Sequence, residues 1–310
     1  MNKNKSLIQI TEGSTHWLHF TKPTASDLEF LKDKYHFHPL DIQDCLSPAQ
    51  RPKIDDYADY LFIVLTFPYY IKTEREIRAS ELDIFIGQNY LITVSDGMLI
   101  PLNNLLEQCQ FNDSAREKFM NDGPSQLLYQ ILSKLQLYCY PMLDHIGEDI
   151  RNIEKVIFSG YEKKMVKEIL VVKQNIVNFR QIMQTHKNVI RKFISKKDKF
   201  FIPNSVAVYY AYLLEQTKDL WDTLEGIKEN IDALHNTNES LISFRLNDIM
   251  KILTTISVIL LPINLVAVIF GMHAQGMPFI DRPNGFWIIM SIMALIAIGL
   301  VAFFKKKDWI

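Results

Sequence analysis

The longest apolar stretches of the chain lie toward its C-terminal end. Residues 252–270 and 286–304 each contain about 19 residues without a charged side chain. An α-helix rises about 1.5 Å per residue, so each stretch covers roughly 28 Å, close to the hydrocarbon thickness of a bilayer. The pattern therefore predicts two transmembrane helices, at 252–270 and 286–304, joined by an external loop at 273–285.

The first apolar stretch also carries polar side chains, of which an asparagine requires a polar partner or water in hydrocarbon. Steps of three and four place alternating polar and apolar residues on one helical face. These residues are Asn247, Met250, Leu253, Ser257, Leu261, Asn264, Val268 and Gly271. Several copies around an axis would form a narrow pore with apolar constrictions. From the spacing alone, a helix–helix seam with Ser and Asn as packing contacts is favoured over the pore.

Basic residues flank both apolar stretches on the same side. They are Arg245, Lys251, Lys305, Lys306 and Lys307, whereas the segment 271–285 carries only Asp281 and Arg282. By the positive-inside rule, both flanks are expected in the cytoplasm, with the basic tail at 305–310. The first residues are polar and no apolar signal core follows them, so we also expect a cytoplasmic N-terminus. The prediction is a multi-pass protein of the inner (plasma) membrane.

Residues 1–112 show alternating strand and helix patterns, which predicts a cytoplasmic α/β subdomain. The predicted elements are a strand at 17–20, a helix at 24–34, a strand at 60–67 covered on both faces, and a hairpin of 82–87 with 90–94.

Helical periodicity dominates the chain beyond about residue 122. Apolar residues recur at three and four over 125–158, 161–194 and 205–270, with breaks at Gly160 and Pro203. This predicts a helical subdomain at 113–204 and a stalk at 205–272 that continues into the membrane. One helix of about 66 residues would reach roughly 100 Å, and Pro262 is expected to kink it.

Charge is distributed unevenly between these helices. Acidic residues dominate the stalk and basic residues the two helices before it. This predicts charge complementarity between neighbouring helices, an acidic surface that concentrates cations near a pore mouth, or both.

Composition excludes several functional classes. The net charge is -1, so there is no basic excess for binding nucleic acid. Nucleotide-binding and hydrolase motifs are absent, which argues against an enzyme or an ATP-driven pump. The cysteines, Cys45, Cys109 and Cys139, match no zinc or redox spacing and are expected as buried thiols. His36 and His38 lie close to Asp41 and Asp44 in sequence, but a structural role for both histidines is favoured.

Several sequence motifs occur together with the two C-terminal spans. They are His38-Pro39-Leu40, Gln43-Asp44, the run from Arg51 to Tyr57, the run from Tyr60 to Leu65, the run from Asn247 to Thr254, Pro262, Gly271-Met272 and Met277-Pro278. In these the chain resembles the CorA magnesium transporters of the two-transmembrane Gly-x-Asn superfamily, over nearly its whole length.

The resemblance implies an α+β cytoplasmic domain, a long stalk helix and two transmembrane helices, assembled into a funnel-shaped homopentamer. It implies a pore lined by the face from Asn247 to Val268, with Met250 and Leu253 as the constriction and the filter at residues 271–273. Lys305, Lys306 and Lys307 would join a basic collar. It also implies transport of Mg²⁺, and gating by cytoplasmic Mg²⁺ with Asp44 as one ligand.

Two positions depart from the family pattern. The signature ends in asparagine, whereas this chain has Gly271-Met272-His273. An imidazole ligates Zn²⁺, Co²⁺ or Ni²⁺ directly and gains a proton near pH 6.5, so a transition-metal transporter is an alternative. The partner acid of the regulatory site is replaced by Tyr212, which leaves Glu215 one turn away. A non-conducting sensor or assembly partner in the membrane is the remaining alternative.

Overall fold

The computed structural model describes residues 7–47, 51–196, 204–272, 277–279, 283–307 and 309, with side chains from residue 206 onward in the third segment. The chain forms two compact units, Met1–His235 and Asn236–Ile310. Pro203 and residues 281 and 282 lie outside the described residues.

One mixed sheet organises the first unit. Its strands are β1 (Leu7–Glu12), β2 (Thr15–Thr21), β3 (Lys53–Asp56), β4 (Leu61–Ile71), β5 (Glu76–Ile86) and β6 (Tyr90–Ser95). They lie in the order β1-β2-β6-β5-β4-β3, and β2 pairs parallel with β6 while the other neighbours are antiparallel. The predicted strands at 17–20 and 60–67 and the predicted hairpin are confirmed, whereas the short strands β1 and β3 were missed.

Strand β4 is buried on both faces, as its continuous apolar run predicted. Leu61, Ile63 and Leu65 enter one apolar core, and Phe62 and Val64 enter the other. Side chains alternate across a strand, so a central strand between two cores is apolar at both its odd and its even positions.

Two helices, α1 (Ala25–Tyr35) and α2 (Pro39–Asp44), contribute to the second of these cores. Thr24 caps α1 through a capping box with Asp27. His36 follows α1 in the left-handed region, at φ 55°, and the His38 ring accepts a hydrogen bond from the amide of Leu40 at 3.2 Å. The contact at His38 fits the structural role that was favoured for this residue, whereas the role of His36 stays a prediction.

Six further helices follow the sheet in the first unit. They are α3 (Ile100–Phe111), α4 (Asp113–Met120), α5 (Pro124–Leu137), α6 (Cys139–Phe158), α7 (Glu162–Met183) and α8 (His186–Ile194). Beyond about residue 122, the described residues contain no strand, as predicted, and the last strand already ends at Ser95. One apolar core joins residues of β4 and β5 to residues of α3, α5 and α8. The core thus crosses the expected subdomain boundary at 112/113.

Two helical stretches that were predicted as continuous are each divided. The stretch 125–158 breaks at Tyr138, because the ring of Pro141 conflicts with the carbonyl of Leu137, four residues earlier. The stretch 161–194 breaks at Gln184 and Thr185, where no Gly or Pro stands. There the fully buried His186 lies 2.7 Å from the carbonyl oxygen of Thr66, a tertiary contact that sequence periodicity does not encode.

The last two helices are the longest apolar ones. Helix α9 (Asn204–Gly271) has 68 residues and contains Pro262, and α10 (Gly285–Lys306) has 22 residues. Both are long and apolar enough to cross a membrane. Only 6% and 0% of their most apolar segments are buried, unlike the core helices of a soluble protein. The predicted long helix and second span are therefore confirmed as helices.

Candidate ion-conduction face

The stripe that was predicted from helical spacing is exposed along its whole length in the single chain. Leu261 and Val268 expose 68% and 62% of their surface, although both are large and apolar. The remaining members are exposed as well: Asn247, Met250, Leu253, Ser257, Asn264 and Gly271. Within the chain, this face of α9 has no cover from the described residues.

A second face of the same segment is covered. Thr255 is 1% exposed. Half-buried residues follow it at steps of three or four, namely Ile259, Pro262, Ile263, Val266 and Phe270. Successive residues of a helix turn by about 100°, which places these positions on the side opposite the stripe.

Helix α10 offers a matching covered face. Its half-buried or buried positions recur every four residues at Ile288, Ile292, Ile296, Leu300 and Phe304. Because α9 and α10 are the two apolar helices of this unit, we infer that their covered faces meet. Beyond α10, Trp309 lines a cleft with Lys251 and Thr255 of α9. On this inference, the face of α9 that packs on α10 differs from the polar stripe, and the role of the stripe stays a prediction.

The polar members of the stripe present oxygen atoms. The Ser257 hydroxyl donates to the carbonyl of Leu253 at 2.9 Å, so its proton is occupied and its oxygen lone pairs remain. The amide of Asn264 carries a carbonyl oxygen on the same face. Mg²⁺ is bound by hard oxygen ligands and releases its water reluctantly, so neutral oxygens suit it as partners of its water shell.

The outer end of the stripe lies at the end of α9. Gly271 is the last residue of the helix, and Met272 is 70% exposed. His273, the position that departs from the family signature, lies outside the described residues. Most of the loop predicted at 273–285 also lies outside the described residues.

The expected basic collar lies at the C-terminal end of α10. Lys305 and Lys306 are exposed in its last turn, and Lys307 follows as the cap residue. Positive charge at this end of a helix is favoured by the helix dipole. The three lysines thus follow the apolar segment directly, and their role as a collar stays a prediction.

Asp44, the expected regulatory ligand, ends helix α2 and is already paired within the chain. Its carboxylate lies 2.7 Å from the ammonium of Lys53, which also lies 2.6 Å from a carboxylate oxygen of Asp55. Burial disfavours the ammonium, but these two carboxylates outweigh burial and raise the pKa of Lys53. Sequence reasoning missed this ion pair, although Lys53 lies in a motif that it had singled out.

Glu215 and Tyr212 are both exposed on α9. Among the described residues, no group of three or more His, Cys, Asp or Glu side chains converges to hold a metal. Asp44 and Glu215 therefore do not belong to a complete metal site of that kind within one chain.

The expected charge complementarity between neighbouring helices is present. Lys173 of α7 pairs with Asp232 of α9 at 2.8 Å, and Arg180 pairs with Glu225. The hydrogen bond from Lys173 lowers the pKa of Asp232. These acidic residues are structural partners of α7, and the role of the remaining stalk acids in attracting cations is still a prediction.

Comparison with known proteins identifies the family. The sequence model of the CorA-like Mg²⁺ transporter protein matches residues 12–306. The Cobalt/magnesium transport protein CorA of Thermotoga maritima is 25% identical over 308 residues, which cover 99% of this chain and 87% of that protein. The Putative metal ion transporter YfjQ of Bacillus subtilis is 24% identical, over 95% of this chain and 89% of that protein.

A solved structure shares the fold. The CorA magnesium transporter from Methanocaldococcus jannaschii matches with a TM-score of 0.85 at 22% identity, over 98% of this chain and 94% of that chain. The α/β sheet, the long helix and the apolar C-terminal helix thus form an arrangement that a transporter structure also has. The chain belongs to the CorA-like Mg²⁺ transporter family and is a transporter of divalent cations rather than an enzyme.

Proposed function

We propose that the chain is a passive, channel-like Mg²⁺ transporter that acts as a homopentamer in the inner membrane, with both termini in the cytoplasm. The observation that carries this proposal is the uncovered stripe of α9, opposite the face that is covered within the chain. Copies that turn their stripes toward one axis would cover it and enclose a conduit.

The stripe supplies two kinds of environment for a hydrated cation. Oxygen atoms of Asn247, Ser257 and Asn264 form polar rings that stabilise the water shell. Met250 and Leu253 form an apolar constriction between Asn247 and Ser257. A pore that alternates in this way binds a cation weakly at several positions, which permits passage.

The membrane potential supplies the driving force. Moving two charges through 100 mV is worth about 4.6 kcal/mol, so inward flux of a divalent cation requires no ATP. The basic collar at Lys305, Lys306 and Lys307 would repel cations at the cytoplasmic mouth and favour release only when the assembly opens.

Gating by cytoplasmic divalent cations is the regulatory part of the proposal. Asp44 would be one ligand, and Glu215 of another copy would be the second. Tyr212 stands at the usual acid position, and Lys53 already neutralises Asp44. We therefore expect weaker dependence on Mg²⁺ than two free carboxylates would provide.

Transport of Co²⁺, Ni²⁺ or Zn²⁺ is the second candidate, and His273 favours it. Imidazole nitrogen binds these ions directly, whereas a filter for hydrated Mg²⁺ uses neutral oxygens. The histidine at the end of the Gly271-Met272-His273 segment is the sequence observation on which this candidate rests.

Flux of each ion into proteoliposomes tests both candidates. We expect Mg²⁺ flux in the native chain, a decrease with Asn264→Leu, and no decrease with the control Ser291→Ala, since Ser291 lies on α10 and bonds to Trp287. Passage of Zn²⁺ or Co²⁺ without Mg²⁺ would favour the transition-metal candidate. If His273→Asn conducts where the native chain does not, the chain is a non-conducting relative.

A further inference from the structure

A cavity of about 300 Å³ lies on one face of the sheet in the first unit. Its polar lining residues come from strands β4, β5 and β6 and from the end of α2, and they include Cys45, Thr66, Glu81, Asp83, Ser95 and Asp96. Three carboxyl groups thus share one cavity, and Lys22 supplies a cation to the same lining.

Asp83 places a carboxyl group at a buried position in the sheet. It lies on β5, between β4 and β6, where its register partners are Val64 and Val94. Phe85, two residues later on the same face, belongs to the apolar core. Only 3% of the Asp83 surface is exposed. A carboxyl group at such a position costs free energy that an apolar side chain would not.

The carboxyl group of Asp83 is not fully satisfied by its neighbours. Its Oδ1 atom is buried and has no hydrogen-bond partner among the described residues. Burial, together with the charge of Glu81, raises the pKa of Asp83 well above its ordinary value. Two neighbouring carboxyl groups repel each other when both are ionised, and a bound proton or a bound cation relieves that repulsion.

We propose that this cavity binds one partly hydrated divalent cation of the hard type, such as Mg²⁺, between Asp83 and Glu81. Mg²⁺ in proteins usually keeps several waters and uses one or two carboxylates, so a cluster of three charged ligands is not required. A water occupies about 30 Å³ in the liquid, so the cavity has room for a cation with several waters. The hydroxyl groups of Thr66 and Ser95 provide further oxygen atoms in its lining.

The donor set argues against a soft metal at this site. The carboxyl groups of Glu81, Asp83 and Asp96 are hard oxygen ligands, which suit Mg²⁺ better than Zn²⁺ or Co²⁺. The site does not depend on the pore or on Asp44, so the proposed transport function and this inference can fail separately.

Binding of Mn²⁺, used as a paramagnetic probe for Mg²⁺, tests the inference on the purified full-length chain in detergent. Bound Mn²⁺ per chain is counted by electron paramagnetic resonance and displaced with Mg²⁺. We expect Asp83→Asn, which matches the protonated carboxyl in shape, to remove one Mn²⁺ per chain. Glu81→Gln should weaken the same site at least tenfold, and Asp44→Asn should leave it intact.

Thiol labelling reports on the cavity directly. Cys109 and Cys139 are buried and Cys45 is partly exposed, so a small maleimide should modify Cys45 first. Mg²⁺ should slow this reaction in the native chain and not in Asp83→Asn. Unchanged Mn²⁺ counts in a folded Asp83→Asn chain would overturn the proposal. If Asp83→Asn does not fold, Glu81→Gln decides, and unchanged affinity in that variant overturns the proposal equally.

Discussion

The Lys53 ammonium forms an ion pair with the carboxylate of Asp44. Removal of the ammonium is therefore expected to make transport more sensitive to cytoplasmic Mg²⁺. The substitution Lys53→Met removes the charge and retains an apolar chain over the ring of Phe62, 5.2 Å from the ammonium. Asp44 and Asp55 are then both free to meet a divalent cation. This prediction rests on the proposed regulatory role of Asp44.

The magnitude follows from the exposure of the ion pair. The side chains of Lys53 and Asp44 are 35% and 22% exposed, so solvent screens their attraction only in part. Ion pairs of this kind contribute about 0.5–1 kcal/mol. A cation that must displace Lys53 is weakened by that amount, which corresponds to about 2–5-fold in affinity. We therefore expect Lys53→Met to lower the half-inhibitory Mg²⁺ concentration about 2–5-fold.

Flux in proteoliposomes, with Mg²⁺ varied on the cytoplasmic side, measures this shift. Lys196→Met is a matched control, since Lys196 pairs with Asp56 at 2.7 Å and has a similar exposure of 36%. It removes one charge from the first unit without touching Asp44. Equal shifts in the two variants, or a higher inhibitory concentration in Lys53→Met, would refute the reasoning.

Four further outcomes are expected. Asn264→Leu should lower single-channel conductance, because it removes a polar ring; unchanged conductance would place Asn264 in a seam. Flux should fall as the pH drops through about 6.5, since imidazolium groups at His273 would repel cations, whereas His273→Asn should be flat between pH 5.5 and 8. Tyr60→Phe should destabilise the first unit by about 2–3 kcal/mol in thermal unfolding, because the buried hydroxyl donates to Asp41 and accepts from the His38 amide, both at 2.8 Å. Burial lowers the pKa of His186 to about 4, so the neutral ring contributes its full stabilisation above about pH 6.5. Between about pH 6.5 and about pH 4, the unfolding free energy should fall by about 1.4 kcal/mol per pH unit. His186→Gln should flatten this pH dependence of the unfolding free energy.

Features with a strong local signal were predictable from the sequence. Strand β4 is apolar at its odd and its even positions, and the stripe of α9 follows a strict helical spacing. The residue pattern alone therefore predicts the buried strand and the shared helical face. The break between α5 and α6 at Tyr138 could also have been predicted, because Pro141 is a local signal with a known effect on the preceding turn. Helices α3 and α4 carried a similar signal, since Asn112 caps α4 by accepting from the amide of Ala115.

Contacts between segments that are distant in the chain could not be predicted from the residue pattern. The break before His186 depends on the carbonyl of Thr66, 120 positions earlier in the chain. The pairing of Lys53 with Asp44 depends on the position of β3 relative to α2. Asp83 is the only charged residue in the run from Leu82 to Ile86 at the end of β5, but its meaning depends on the cavity that Cys45 and Glu81 share with it. Local patterns specify elements, whereas these sites arise from the way elements meet.

The position of Asn264 bears on the proposal that several copies of the chain assemble. Its amide lies on the uncovered side of α9, opposite the positions that are covered within the unit. An isolated chain in a bilayer would expose that amide to lipid, where an unsatisfied polar group costs several kcal/mol. Water or other copies must satisfy it, and a water-filled axis between copies provides both. The same residue that disfavours the monomer in a membrane therefore favours an assembly with an aqueous path through its centre.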